Sequence, residues 1–191
     1  MRAATAGMLA AALAATPAAA HTGAGGLSGF VEGFLHPLLG PDHLLAMVAV
    51  GLWAGLVGGR APWVWPATFV LAMALGAVLA FSGLDLPGVE AGIAASVVAF
   101  GLAVGFRFSP SVAVGVAGCA AFALFHGHAH GAELPDGAGA GGYVAGFGLA
   151  TAALHAAGVG LGFAAARIGT AWLPRVAGGM VAASGLAFLA G

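Results

Sequence analysis

Charged side chains are almost absent from this chain of 191 residues, and that scarcity restricts its fold more than any other feature. Only 6% of the residues are charged, whereas 61% are hydrophobic. A soluble domain normally carries about a quarter of its residues as charged groups, which help to cover its water-facing surface. The charges of this chain are too few for that purpose, and lipid must take the place of water. The sequence therefore predicts a polytopic membrane protein.

Six apolar segments each have roughly the length that a membrane helix needs. Clusters of glycine, proline and polar residues separate them and mark the connections. Ahead of the first span, a short amphipathic helix is expected over Leu27–Leu35, ending at His36 and Pro37. We predict an all-α transmembrane helix bundle over residues 42–191, preceded by a periplasmic N-terminus over residues 21–41. The predicted spans are Asp42–Gly58, Trp63–Ser82, Val89–Phe106, Ser111–His126, Gly142–Arg167 and Trp172–Ala190.

Residues 1–20 have the pattern of a secretory signal peptide. Arg2 precedes an apolar stretch, Pro17 interrupts it, and a run of three alanines ends at Ala20. Small residues at this place are typical of a cleavage site. We therefore expect the mature chain to begin at His21 in the bacterial periplasm. The alternative is an uncleaved first helix.

The distribution of charge predicts how the spans are oriented in the bacterial inner membrane. Arginines fall in the first, third and fifth connections, whereas acidic residues fall in the second and fourth. Cytoplasmic loops carry an excess of arginine and lysine, so the N-terminus is expected on the periplasmic side. A cleaved signal peptide gives the same orientation. The arginines are Arg60, Arg107, Arg167 and Arg175, and the acids are Asp85, Glu90, Glu133 and Asp136.

The segment HPLLGPDH, from His36 to His43, has the clearest chemical signal. Its two prolines interrupt a helix, and irregular backbone at membrane depth is tolerated only against protein or a water-filled cavity. A broken helix beside ionisable side chains is typical of a transporter's binding site. Asp42 and His43 offer an oxygen and a nitrogen to a metal, and Met47 follows one turn later. Asp42 as a helix cap, with His43 at the interface, is the alternative, and the two roles are compatible.

Four further histidines are candidate metal ligands in later spans. His126 and His130 would share one helix face if the helix continues through Gly127, while His128 would point elsewhere. The alternative is an exposed histidine-rich loop that binds metal loosely. His155 falls in the middle of the fifth span, where an imidazole needs a partner, so it should face the bundle interior with Thr151 one turn away. Its alternative is a structural hydrogen bond to a neighbouring helix.

Other residues give weaker signals. His21 could chelate through its amine and imidazole if it is the mature N-terminus, or belong to a disordered terminus. Glu32 either attracts cations or is simply solvated. Cys119 is the only cysteine, which excludes an internal disulfide and a thiolate cluster. The absence of a basic run argues against nucleic acid as a partner. Four tryptophans are interpreted as anchors at the membrane interface: Trp53, Trp63, Trp65 and Trp172.

At these residues the chain resembles the HupE/UreJ family of nickel permeases and hydrogenase or urease accessory proteins. The resemblance rests on HPLLGPDHLLAMVAVGLWA (His36–Ala54), FHGHAHGAE (Phe125–Glu133) and ATAALH (Ala150–His155). It implies uptake of Ni²⁺, with Co²⁺ transport among relatives, for maturation of hydrogenase or urease. The larger nickel/cobalt transporter family has an H-x4-D-H signature, whereas five residues separate the two parts here, so its residue roles are not transferred. Residues matching the HupE/UreJ signatures are His36, Asp42, His43, His126, His130 and His155.

The residues and the resemblance together predict a non-enzymatic secondary transporter of a divalent metal, without a prosthetic group. Imidazole and carboxylate ligands suit nickel, cobalt, zinc or iron, and the scarcity of cysteine argues against Cu(I). A nucleotide-binding P-loop motif is absent from the sequence. Three alternatives stay open: a membrane-embedded zinc hydrolase, a haem protein with His126 and His155 as axial ligands, and a non-transporting accessory protein that delivers metal. The sequence leaves a homo-oligomer open.

Overall fold

A computed structural model describes residues 25–190, and every regular element in that range is an α-helix. The predicted signal peptide, its cleavage after Ala20 and the candidate ligand His21 lie outside the described residues. The helices in the described range are α1 (Gly25–Leu39), α2 (Pro41–Val57), α3 (Ala61–Phe81), α4 (Val89–Gly105), α5 (Val112–Ala132), α6 (Ala140–Ile168) and α7 (Trp172–Ala190).

The helical membrane fold predicted from the sequence is confirmed. Helices α3, α5, α6 and α7 are each long and apolar enough to cross a membrane, and α1 with α2 passes the same criterion as a bent pair. Helix α4 is apolar but has 17 residues, which lies at the short end of the range for a span. Length and composition thus support four or five spans, or six if both α2 and α4 cross, against about six predicted.

The chain bends by 78° between α1 and α2. The prediction that the first helix ends at His36 and Pro37 is wrong, because α1 continues through both residues to Leu39. A proline inside a membrane helix removes one backbone hydrogen bond, which neighbouring helices can compensate. The break falls at Gly40, whose extended backbone is the conformation that a following proline favours. Pro41 then begins α2, where its missing amide hydrogen matters least.

Glycines bring the helices that carry the candidate ligands into backbone contact. A Cβ atom on Gly51 of α2 would collide with the carbonyl oxygen of His155 on α6. A Cβ atom on Gly127 of α5 would likewise collide with the carbonyl oxygen of Met73 on α3. Small residues allow membrane helices to approach this closely. The same contact explains why α5 continues to Ala132 instead of ending at His126 as predicted, since packing overrides the weak helix propensity of glycine.

The two ends of the bundle differ in charge. Helices α2 to α7 are joined by connections of three to seven residues, so successive helices are antiparallel. The end with the α2–α3, α4–α5 and α6–α7 connections is called the arginine end, because the four arginines of the described range lie in or beside these connections. The opposite end, with the α1–α2 bend, is called the histidine end.

Two tryptophans predicted to anchor the chain at the membrane interface lie inside the bundle. Trp53 and Trp65 are buried, and their ring centroids are 4.2 Å apart. Trp63 and Trp172 are exposed, as expected of anchors. A position near the end of a span therefore did not predict which way the helix turns its side chain.

Candidate metal centre

Three of the predicted ligands converge at the histidine end. His36 of α1, His43 of α2 and His130 of α5 each offer a side-chain nitrogen, and these nitrogens lie within 4.8 Å of one another. Nitrogen ligands bind first-row metals such as zinc at about 2.0–2.1 Å, so two of them on one ion are at most about 4.2 Å apart. Small side-chain rotations therefore bring the three nitrogens to one cation.

Asp42 orients His43. Its Oδ1 atom accepts a hydrogen bond from the ring Nδ1–H of His43 at 2.9 Å, and also one from the backbone amide of His43 at 2.7 Å. A histidine held by a carboxylate at one nitrogen presents the lone pair of the other, which is the usual arrangement of a metal-binding histidine. The free Nε2 atom of His43 is buried. On its other side Asp42 lines a cavity of about 310 Å³ together with Glu90.

Two residues that were not among the predicted ligands contact His36. The carboxylate of Glu133 lies 3.1 Å from its Nε2 atom, and the hydroxyl of Tyr143 lies 3.1 Å from its Nδ1 atom. The carboxylate accepts from Nε2–H, so Nδ1 accepts from the tyrosine. His36 must therefore give up one of these contacts to bind a cation. Glu133 follows His130 by three residues, a proximity that could have drawn attention to it, whereas nothing in the sequence pointed to Tyr143.

Helix α5 continues through Gly127, so His126 lies on the same face as His130 and one helical turn deeper. Its ring centroid is 4.7 Å from that of His43. The hydroxyl of Ser96 donates to the carbonyl oxygen of Ile93, so it accepts at 2.8 Å from Nε2–H of His126. This assigns the lone pair of His126 to Nδ1, which is buried and makes no hydrogen bond within residues 25–190.

His155 is buried midway along α6, apart from the three converging histidines. Its ring meets Phe69 edge-on at a centroid distance of 5.1 Å. The hydroxyl of Thr151, suggested as its hydrogen-bond partner, donates instead to the sulfur of Met47 at 3.1 Å. Met47 is fully buried, one turn below His43.

The remaining weaker candidates lie away from the three converging histidines. His128 is buried within α5. The histidine-rich segment is therefore helical and does not form the exposed loop given as its alternative. Its Nε2 atom lies 2.8 Å from the carbonyl oxygen of Leu84 in the α3–α4 connection, which agrees with the prediction that His128 points elsewhere. Glu32 is exposed on α1.

Unpaired lone pairs distinguish these histidines from ordinary core histidines. Among residues 25–190, buried ring nitrogens without a hydrogen-bond partner occur at each of His43, His126, His128, His130 and His155. An unsatisfied buried polar group typically costs about 1–3 kcal/mol, so several in one core need an explanation. Neutral imidazoles with free lone pairs are the ligand type that nickel, cobalt, zinc and iron accept.

Comparison with known proteins shows the family of this chain. The family model described as HupE / UreJ protein matches residues 9–188. The chain belongs to the HupE/UreJ family. This family member is 50% identical over 168 residues to Protein HupE of Rhizobium leguminosarum bv. viciae, and the match covers 85% of each chain. No solved structure matches it significantly. The resemblance predicted from its motifs is confirmed, and its apolar helices make it a multi-pass membrane protein.

Proposed function

We propose that this HupE/UreJ family member is a permease that admits Ni²⁺ to the cytoplasm for maturation of hydrogenase or urease. The observation that carries the proposal is the convergence of His36, His43 and His130 from three separate helices. Family membership supports nickel over zinc or iron. Co²⁺ accepts the same ligands, so it is a second substrate of the proposed permease.

The proposed cation path begins at the histidine end. Glu133 is exposed and attracts the cation. It then releases the Nε2 atom of His36, and His36 binds the cation. The lone pairs of His43 and His130 then replace water molecules bound to the cation. The cation next reaches His126, one turn deeper. Asp42 acts in this path by holding His43 and by its negative charge. His155 is the deepest candidate ligand of the path.

The proposed direction follows from charge. Arginine-rich connections favour the cytoplasmic side, so the arginine end is assigned to the cytoplasm of a bacterial cell and the histidine end to the periplasm, with the N-terminus outside. An inside-negative membrane potential favours entry of a divalent ion by about 4.6 kcal/mol per 100 mV, at about 2.3 kcal/mol for each charge. The potential alone is therefore a sufficient driving force, and no separate energy source is needed.

Entry of Ni²⁺ into liposomes that contain only this protein tests the proposal. We expect entry under an inside-negative potential, with Co²⁺ also admitted and Zn²⁺ as the comparison ion. His43→Ala should abolish entry, because it removes a central ligand. His128→Gln is the matched control and should preserve entry, because His128 contacts the α3–α4 connection instead.

Two results would contradict the proposal in different ways. Tight Ni²⁺ binding without entry would identify the chain as a metal-delivery protein and would refute a permease. Wild-type entry in a well-folded His43→Ala protein would refute the site.

A further inference from the structure

Phe69 lies next to both His126 and His155. Its side chain is fully buried on α3. Its ring centroid lies 5.5 Å from that of His126 and 5.1 Å from that of His155. The ring of Phe69 therefore flanks both imidazoles at the inner limit of the histidines.

Behind Phe69 the core of the arginine half is aromatic. Phe100 of α4 lies 6.3 Å from Phe69, Trp53 of α2 lies 6.2 Å from Phe100, and Trp65 of α3 lies 4.2 Å from Trp53. All four rings are buried. In the described residues, the buried histidine, serine and threonine residues belong to the histidine half or to the level of Phe69 and His155. The cluster of these four rings offers a cation no imidazole or carboxylate ligand.

Two hydrogen bonds fasten the tryptophans to the arginine end. The indole N–H of Trp53 donates to the carbonyl oxygen of Phe108 at 2.6 Å, and that of Trp65 donates to the carbonyl oxygen of Val112 at 3.0 Å. Both acceptors lie at the α4–α5 connection and the start of α5. A Cβ atom on Gly115 would collide with the ring of Trp65, so a glycine at this position of α5 makes room for that ring. Opening a path through this aromatic cluster must move these rings or break these two bonds.

We propose that Phe69, Trp53, Trp65 and Phe100 form the inner gate of the cation path, and that the structure is the state in which this gate is closed. The inference rests on the proposed function, because a gate has meaning only for a protein that admits ions. Hydrophobic constrictions block ions by excluding the water that would hydrate them. The outer histidines then select the cation, and the aromatic gate prevents other ions from following it.

Calcium entry into liposomes measures the gate separately from the outer site. Ca²⁺ prefers six to eight oxygen ligands, so the outer histidines should not bind it well and the closed gate should exclude it. Phe69→Ala should raise Ca²⁺ entry by about tenfold or more, the change that a barrier lower by about 1.4 kcal/mol gives. Ni²⁺ affinity, measured by calorimetry on the purified protein, should stay within about twofold of wild type, since twofold is less than about 0.5 kcal/mol.

A matched control separates the gate from a general loss of packing. Phe81→Ala removes a phenyl ring from the same helix, α3, at an exposed position, and it should leave Ca²⁺ entry unchanged. If Phe69→Ala does not fold, Trp53→Phe provides the second test. That variant keeps an aromatic ring and removes the hydrogen bond to the carbonyl oxygen of Phe108, and we expect Ca²⁺ entry to rise by up to about tenfold.

The outcomes distinguish the two proposals. A wild-type protein that admits no Ni²⁺ refutes the permease itself. A wild-type protein that admits Ni²⁺, together with folded Phe69→Ala or Trp53→Phe proteins that exclude Ca²⁺ as well as wild type does, refutes the gate and leaves the permease standing.

Discussion

Replacing Asp42 by asparagine removes one negative charge while preserving the shape of the side chain, and its effect on Ni²⁺ affinity can be calculated from the contact with His43. The two side chains are 2.9 Å apart, and the exposed fractions are 26% for Asp42 and 7% for His43. Removing the carboxylate that holds a metal-binding histidine typically weakens metal affinity by about 10- to 100-fold, or about 1.4–2.7 kcal/mol. Because Asp42 is one-quarter exposed, water screens the pair in part, so we expect the lower part of that range. A loss of about 1.5–2 kcal/mol corresponds to Ni²⁺ binding that is about 10- to 30-fold weaker.

Calorimetric titration of purified protein with Ni²⁺ measures this change. Asp136→Asn is the matched control, because it removes the same charge from an exposed position in the α5–α6 connection and should alter affinity by less than about twofold. An Asp42→Asn protein that binds Ni²⁺ as tightly as wild type would refute the orienting role of Asp42. Equal losses in both variants would show that only the net charge of the histidine end matters.

Three further predictions concern the helix contacts and the ligands. His128→Gln should lower the free energy of unfolding by about 0.5–1.5 kcal/mol, seen as a lower Tm, because it weakens the contact with the α3–α4 connection. Unchanged stability with lost Ni²⁺ binding would instead make His128 a ligand. Gly158→Ala should reduce the yield of folded protein in size-exclusion chromatography, because the new Cβ atom would collide with the α2 backbone. Gly160 faces open space, so Gly160→Ala should leave the yield unchanged. Equal yields would contradict the close α2–α6 contact. Ni²⁺ affinity should fall as the pH drops from about 7.5 to 5.5, because protons compete with the cation for imidazole nitrogens, and a pH-independent affinity would argue against histidine ligands.

The helices could be predicted from the sequence because lipid imposes a simple rule on it. Each span had to be a long apolar run, and each connection had to hold the glycines, prolines and charges that lipid excludes. The predicted ends of two helices were wrong. Gly127 is a weak helix former, yet its contact with the backbone of Met73 keeps α5 helical past His126. Pro37 was expected to end α1, yet that helix continues to Leu39.

The candidate ligands could be identified from the sequence, but their arrangement could not. Ionisable residues in apolar spans are few, so His36, His43 and His130 could be selected one by one. Their convergence depends on the 78° bend at Gly40 and on how α1, α2 and α5 pack, and neither is encoded in the local pattern. The burial of Trp53 was missed for a similar reason, because nearly uniform hydrophobicity leaves the rotation of a membrane helix undetermined until its neighbours are known.

X-ray absorption at the nickel edge, on Ni²⁺ bound to the purified protein, tests most directly whether three imidazoles from separate helices share one cation. The expected spectrum contains the scattering of three imidazole rings, with nitrogens near the 2.0–2.1 Å found for comparable metals, and only two rings in the His43→Ala protein. A shell of oxygen alone, or the same number of rings in wild type and in His43→Ala, would contradict the account.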